Sequence, residues 1–240
     1  MTLKASNLAM VPFVSVDNMM RLVHHIGIEA FLADLAKEIE ADFVRWELFD
    51  KTPRLGSHSD VGVIELMPTS DGTHYGCKYV NGHPKNMKEG LQTVTAFGIL
   101  ADVDTGYPVL FSEMTILTAL RTGAMSALAT KHLAAPDAKT MAMIGNGAQS
   151  EFQCLAIKAV CGIESIRLYD IDSAATEKCM KNLTGLGFNI RPCATPEEAI
   201  EGADVITVAT ADKDMQTILT DNMVGAGVHI NAIGGDCPGK

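Results

Sequence analysis

No CxxC spacing links any of the six cysteines, Cys77, Cys154, Cys161, Cys179, Cys193 and Cys237. Without that spacing, and without the cysteine density of a small secreted scaffold, zinc sites and disulfide frameworks are disfavoured and reduced thiols in a cytoplasm are expected. Excess positive charge is missing too: 19 Lys and Arg stand against 29 Asp and Glu, a net charge of −10. That balance argues against a nucleic-acid partner, whose phosphates want clustered cations. No apolar run reaches membrane-spanning length, and the opening MTLKASNLAMVPFVSVDNMM is too polar for a signal peptide. Internal repeats and low-complexity linkers are absent as well. What is present is an ordinary globular composition, 47% hydrophobic and 20% charged over 240 residues. Such a chain can bury one large core or two small ones.

Two regions differ in rhythm. The first, to about residue 125, is mixed: an opening strand, a helix over 27–42, then short strands. VGVIELMPTS and HYGCKYVNG alternate as neighbouring strands across the turn signal Asp71–Gly72. QTVTAFGILADVDTGYPVLFSE reads as a hairpin turning at DVDTGYP. TILTALRTGAMSALATKHL, residues 115–133, sets Ile116, Leu117, Leu120, Ala124, Ala127 and Leu128 on one helical face.

After Pro136 the pattern becomes strand, helix, strand. TMAMI, SIRLYD, NIRPCA, DVITVAT and VHINAIGG are five strands, with helices after the first, second and third. Gly162 should stop the first of these helices, and Thr195 with Pro196 should start the third. This alternation implies a doubly wound parallel sheet of Rossmann type, here over 126–240, preceded by a mixed α+β domain over 1–125.

IGNGAQS places Gly145 and Gly147 at the first two glycines of GxGxxG and Ser150 at the third. The first glycine makes a tight turn, the second admits a pyrophosphate to backbone N–H groups, and the third needs only a small residue. Glycine turns after strands are common, so the motif alone is a weak signal. Its context strengthens it: it follows a strand, opens a helix and leads to LYDID. Asp170, 25 residues beyond Gly145, can accept from both ribose hydroxyls and would repel a 2′-phosphate, favouring NAD(H). Asp172 is suited to capping the next helix. The fifth strand ends on the same sheet edge, where Gly234 and Gly235 would let backbone pass a nicotinamide ring and Asp236 would stand at its rim. Spacing alone does not separate that reading of Asp236 from a loop-capping one.

RLGSHSDVGVIELMP, CKYVNGHPKN, FGILADVDTGYP, TALRTGAMSALA, IGNGAQSEFQ, TADK and NAIGGDCPGK resemble the ornithine cyclodeaminase/μ-crystallin family, from about residue 40 to the end. KYVNGHPKN and GGDCPGK favour its cyclodeaminase branch. The resemblance implies a homodimer, each chain pairing a substrate and dimerisation domain with an NAD-binding one. It carries Arg54, Lys78 and Arg121 over as a clamp on an amino-acid carboxylate, a task guanidinium forks perform well. Glu65 would meet the substrate's distal ammonium, and Lys240 would also contact substrate. Thr93, Ala148, Gln149, Asp170 and Thr210 match cofactor contacts, with Ile233, Gly234, Gly235 and Asp236 along the nicotinamide. Asp236 matches the acid/base. The implied reaction moves hydride from Cα of L-ornithine to NAD+, and the δ-amine closes on the imine carbon. Ammonia then leaves, and hydride returns to give L-proline.

Rossmann-type sheets of this kind have six strands and five are read here. The family pattern continues past Lys240, so the chain is expected to be a fragment, or else a shortened protein whose apolar surface a partner covers. Rival readings are a ketimine reductase, a lysine cyclodeaminase and an amino-acid dehydrogenase within the family. A crystallin-like binding protein without turnover is the rival of another class.

Overall fold

The computed structural model describes residues 10–210 and 217–234. The chain divides into two compact units, Met1–Ile26 with Ala41–Thr118, and Gly27–Glu40 with Ala119–Lys240. The expected boundary at 125 falls inside a helix, whereas the two units part after Thr118 and residues 27–40 join the later one.

The first unit is built on strands β1 (Phe13–Val14), β2 (Leu55–Ser59), β3 (Gly62–Ser70), β4 (His74–Gly82), β5 (Ala96–Asp102) and β6 (Pro108–Glu113). They form one sheet in the order β1-β6-β5-β4-β3-β2, antiparallel except where β1 runs parallel to β6. The expected hairpins are both present. At the first, Asp71 Oδ1 accepts from the N–H groups of Thr73 (3.0 Å) and His74 (2.8 Å), an Asx turn that sets the register. The His74 and Thr73 N–H groups, together with Arg45, hold the Asp71 carboxyl down at about 2. At the second, Asp102 Oδ1 accepts from Thr105 N–H at 2.9 Å.

Helix α1 (Val16–Ile26) follows the first strand and has no counterpart in the expected elements. A reciprocal cap starts it: Asn18 N–H donates to Ser15 Oγ and Ser15 N–H donates to Asn18 Oδ1. Helix α2 (Ile28–Val44) follows at once.

The second unit contains the five expected strands, β7 (Thr140–Ile144), β8 (Ser165–Tyr169), β9 (Asn189–Pro192), β10 (Val205–Val208) and β11 (His229–Ala232). All pair in parallel, in the order β11-β10-β7-β8-β9. Helices α3 (Thr115–Leu133), α4 (Ser150–Cys161), α5 (Ser173–Leu183) and α6 (Pro196–Ile200) complete the fold. Asp172 and Thr195 cap α5 and α6, accepting from the N–H groups of Ala174 and Glu198.

Period-two alternation divides the apolar load between the faces of this sheet. Ala142, Ile144 and Ile206 pack with Ala199, Ile200 and Ala203 around α6. Met141, Met143, Ile166 and Leu168 point the other way and are fully buried, each contributing roughly 1.5–3 kcal/mol. On that face Asn231 Nδ2 donates to Thr130 Oγ1 of α3 at 2.9 Å, which ties the helix to the sheet. The start of α2 belongs here for a physical reason. Leu32 and Ala36 are buried, Glu29 pairs with Lys158 of α4 (2.8 Å), and Glu40 pairs with Lys131 of α3 (3.0 Å).

Candidate functional site

The parallel order reverses between β7 and β10. Such a switch point opens a crevice at the carboxyl ends of the strands, where open α/β sheets bind ligands. Gly145 turns the chain there with φ +90°, and its N–H donates to the Tyr169 carbonyl at 2.9 Å. A Cβ on Gly145 would lie 2.9 Å from the Ala209 carbonyl and 3.0 Å from Thr210 N. From β11, Gly234 comes equally close: a Cβ there would stand 2.8 Å from Thr210 N. The end of β10 is thus held between two glycines, and Ile233 and Gly234 both donate to the Val208 carbonyl (3.0 and 3.1 Å). Gly147 differs: apart from its chain neighbours, no atom of the described residues lies within 4 Å of where its Cβ would stand, which leaves open space for a ligand there. Ser150 is fully buried at the start of α4, and its hydroxyl donates to the Gly147 carbonyl at 2.8 Å.

Asp170, just past β8, faces this turn. Its Oδ2 accepts from Asn146 N–H at 2.6 Å and its Oδ1 from Asp172 N–H at 2.9 Å. Each carboxylate oxygen retains a second acceptor site, so a vicinal diol can still be bound. Helix α5 steadies the turn from the side: Lys178 donates to the Gly147 carbonyl (3.3 Å) and pairs with Glu151 (3.0 Å). Burial acts to raise the Glu151 pKa, but hydrogen bonds from Asn182 and Lys178 outweigh it and leave the carboxyl below its ordinary value. An open glycine backbone at a helix start and an oriented acid at the next strand end fit a dinucleotide's pyrophosphate and ribose. Ala148 is exposed, and Gln149, half-buried, precedes α4 and accepts from Gln153 at 3.5 Å.

In the first unit, Arg54 immediately precedes β2 and pairs with Glu65 of β3 at 3.2 Å, the arginine 64% exposed and the glutamate 19%. Glu65 lies opposite Val80 and Lys78 opposite Met67, so Glu65 and Lys78 share one face as diagonal neighbours. Lys78 is half-buried and donates to Thr118 Oγ1 at 3.5 Å. This sheet therefore gathers Arg54, Glu65 and Lys78. Thr93 lies in the loop before β5, its carbonyl accepting from His83 N–H at 2.8 Å. Arg121 is exposed on the α3 portion of the second unit. Gly235, Asp236 and Lys240 lie outside the described residues.

Sequence reasoning missed the pairing of Arg54 with Glu65, because strand register across a hairpin decides it. It also missed Asn146, Thr176 and Lys178 around the turn. A polar residue between two glycines is the one signal that pointed to Asn146. The described cysteines are free thiols, and burial pushes those of Cys161 and Cys179 up to about 11, which makes them poor nucleophiles.

Fold and site together define a Rossmann-type α/β protein with a mixed-sheet companion unit. A solved lysine cyclodeaminase, studied for its recognition of L-lysine, L-ornithine and L-2,4-diaminobutyric acid, superposes with a TM-score of 0.85. It is 30% identical, and the match covers 93% of this chain and 67% of that one. An archaeal alanine dehydrogenase dimer with bound NAD gives a TM-score of 0.83 at 29% identity, covering 96% and 69%. The Ornithine cyclodeaminase/mu-crystallin family model matches residues 16–240, and the chain belongs to that family. An ornithine cyclodeaminase of Brucella melitensis biotype 1 is 69% identical over 234 residues, 98% of this chain. The chain spans about 65% of the length of that relative.

Proposed function

We propose that this chain serves the NAD-dependent conversion of L-ornithine to L-proline and ammonia. The observation that carries the reading is its 69% identity, across 98% of its length, to an ornithine cyclodeaminase. The oriented Asp170 carboxylate beside an open glycine turn supports NAD as the cofactor, with Gly145, Gly147, Ala148, Gln149, Thr93, Thr210 and Ile233–Asp236 as its contacts. Arg54, Lys78 and Arg121 hold the substrate carboxylate, Glu65 receives the δ-ammonium, and Lys240 makes a further substrate contact. A distal cation needs such a partner, and a plain aliphatic amino acid does not.

Held at Asp170 and the turn through Gly145 and Gly147, NAD+ would supply an acceptor for the Cα hydride and a source for its return. Asp236 removes a proton from the α-ammonium and supplies one to the departing amine. Glu65 orients the δ-nitrogen toward the electrophilic carbon, where ring closure gains a high effective concentration.

The dimer is the proposed assembly. One face of the first unit's sheet presents Phe13, Leu55, Leu66, Phe97 and Phe111, exposed by 64, 66, 43, 58 and 38%. An apolar sheet face of this breadth suits a second copy. No helix among the described residues is long and apolar enough to cross a membrane, and a cytoplasmic enzyme is the proposed setting.

Incubation with L-ornithine and substoichiometric NAD+ tests the activity. Proline and ammonia in equal amounts, exceeding the NAD+ supplied, are expected. NADH with a keto acid and no proline would instead mark an amino-acid dehydrogenase, and turnover of L-lysine in preference to L-ornithine a lysine cyclodeaminase.

A further inference from the structure

Asn146 stands between the two glycines of the turn and is fully buried. A buried amide must find its partners inside the fold. Its Nδ2 donates to Thr176 Oγ1 of α5 at 2.9 Å, while its Oδ1 has no hydrogen-bond partner among the described residues. Its backbone N–H donates to Asp170 Oδ2 at 2.6 Å. One residue therefore ties the glycine turn, the end of β8 and the first turns of α5 together. An amide that leaves an acceptor unpaired is a poor choice for filling space, since an apolar side chain would carry no such penalty. The donor it supplies to Thr176 is what an apolar residue lacks.

We propose that Asn146 is a positioning residue for nucleoside recognition. Anchored to Thr176, it keeps its own N–H on Asp170 and so fixes the carboxylate in the orientation that accepts an unphosphorylated ribose diol. The inference rests on the dinucleotide reading above. A lone carboxylate rotates about its Cβ–Cγ bond, but here Asn146 N–H on Oδ2 and Asp172 N–H on Oδ1 hold opposite oxygens. The free acceptor sites of both oxygens are then presented side by side, as two adjacent hydroxyls require. Release of the Asn146 anchor lets the turn drift, Oδ2 loses its donor and the carboxylate turns. A turned carboxylate binds the diol less well and opposes a 2′-phosphate less directly, so both affinity for NAD(H) and its preference over NADP(H) fall. Thr176, 8% exposed on α5, acts only through Asn146.

The test compares the wild-type chain with Asn146→Ala, Thr176→Val and Thr176→Ser. Each is titrated with NADH, NADPH and reduced nicotinamide mononucleotide by fluorescence, and the Asn146 amide is followed by NMR in the unliganded protein. Asn146→Ala and Thr176→Val should weaken NADH about tenfold, one hydrogen bond's worth, and narrow the preference over NADPH. Affinity for the mononucleotide, which lacks the adenosine ribose, should not move. Thr176→Ser restores the hydroxyl and should restore NADH binding. The Asn146 amide proton should shift upfield in Thr176→Val as its short bond lengthens. Wild-type NADH affinity in Thr176→Val, or equal weakening of the mononucleotide, overturns the inference. A wild-type chain that binds no NADH overturns the dinucleotide reading instead, and an Asn146 amide unmoved by Thr176→Val then overturns the anchor independently.

Discussion

Replacing Glu65 with Gln separates a structural from a functional role for the acid on β3. Its partner in the fold is Arg54 at 3.2 Å, and that arginine is 64% exposed. Ion pairs open to solvent on one side contribute about 0–1 kcal/mol, and Gln still accepts a hydrogen bond. Glu65→Gln should therefore shift the melting temperature by no more than roughly 2–4 °C for a chain of this size. The functional loss should be larger. A hydrogen bond to a charged group contributes roughly 1.5–3 kcal/mol, which is about 10–150-fold in kcat/KM for L-ornithine. L-norvaline, which has the same carbon chain without the δ-amine, supplies the control. As an inhibitor it should bind Glu65→Gln and wild type within about twofold, whereas Arg54→Gln should weaken both amino acids if Arg54 meets their common carboxylate as proposed. Steady-state kinetics with ornithine, norvaline inhibition and thermal melting complete the assay. Equal loss for ornithine and norvaline in Glu65→Gln, or a fall in melting temperature above about 10 °C, would refute the assignment of Glu65 to the distal ammonium.

Asp236→Asn should retain NADH affinity while turnover falls by about 10²–10⁴-fold, the share of a positioned acid/base; kcat and a binding titration read the two separately. Because the folded-state pKa of Asp71 is lowered from 3.8 to about 2, its contribution is complete above pH 4 and lost as pH falls through 2. Denaturant unfolding at pH 7 should show Asp71→Ala less stable by at most about 2 kcal/mol, Arg45 being 44% exposed and its share screened, with the gap closing near pH 2. Gly145→Ala forces a positive φ and a 2.9 Å approach to the Ala209 backbone, so the melting temperature should drop by several degrees. Phe97→Glu, on the apolar sheet face, should convert a dimer to a monomer in sedimentation velocity without loss of helical circular dichroism.

Elements whose causes are local were legible. The helical period over 115–133 specifies α3 at Thr115–Leu133, and Asp172 and Thr195 cap α5 and α6 as their chemistry predicts. The five parallel strands and both hairpins follow from apolar runs punctuated by Gly, Pro and Asp. Helix α1 escaped because its Ser15–Asn18 cap is a weak pattern in a polar stretch. In the candidate site, the glycine turn and Asp170 stand out by spacing, while Asp236, which spacing leaves open and the family resemblance assigns, lies outside the described residues.

Periodicity, turn chemistry and the order of elements therefore determined, from the sequence alone, that this chain makes a mixed sheet followed by a doubly wound one. Each of these depends on residues a few positions apart. Tertiary structure alone decided that residues 27–40 belong with the later unit, that Glu65 answers to Arg54 and shares a face with Lys78, and that Asn146 joins Asp170 to Thr176. Those partnerships span 11 to 129 positions, as far as Lys158 reaching Glu29. They arise only when burial and strand register bring the chain back on itself, and no local preference encodes which distant group will be waiting.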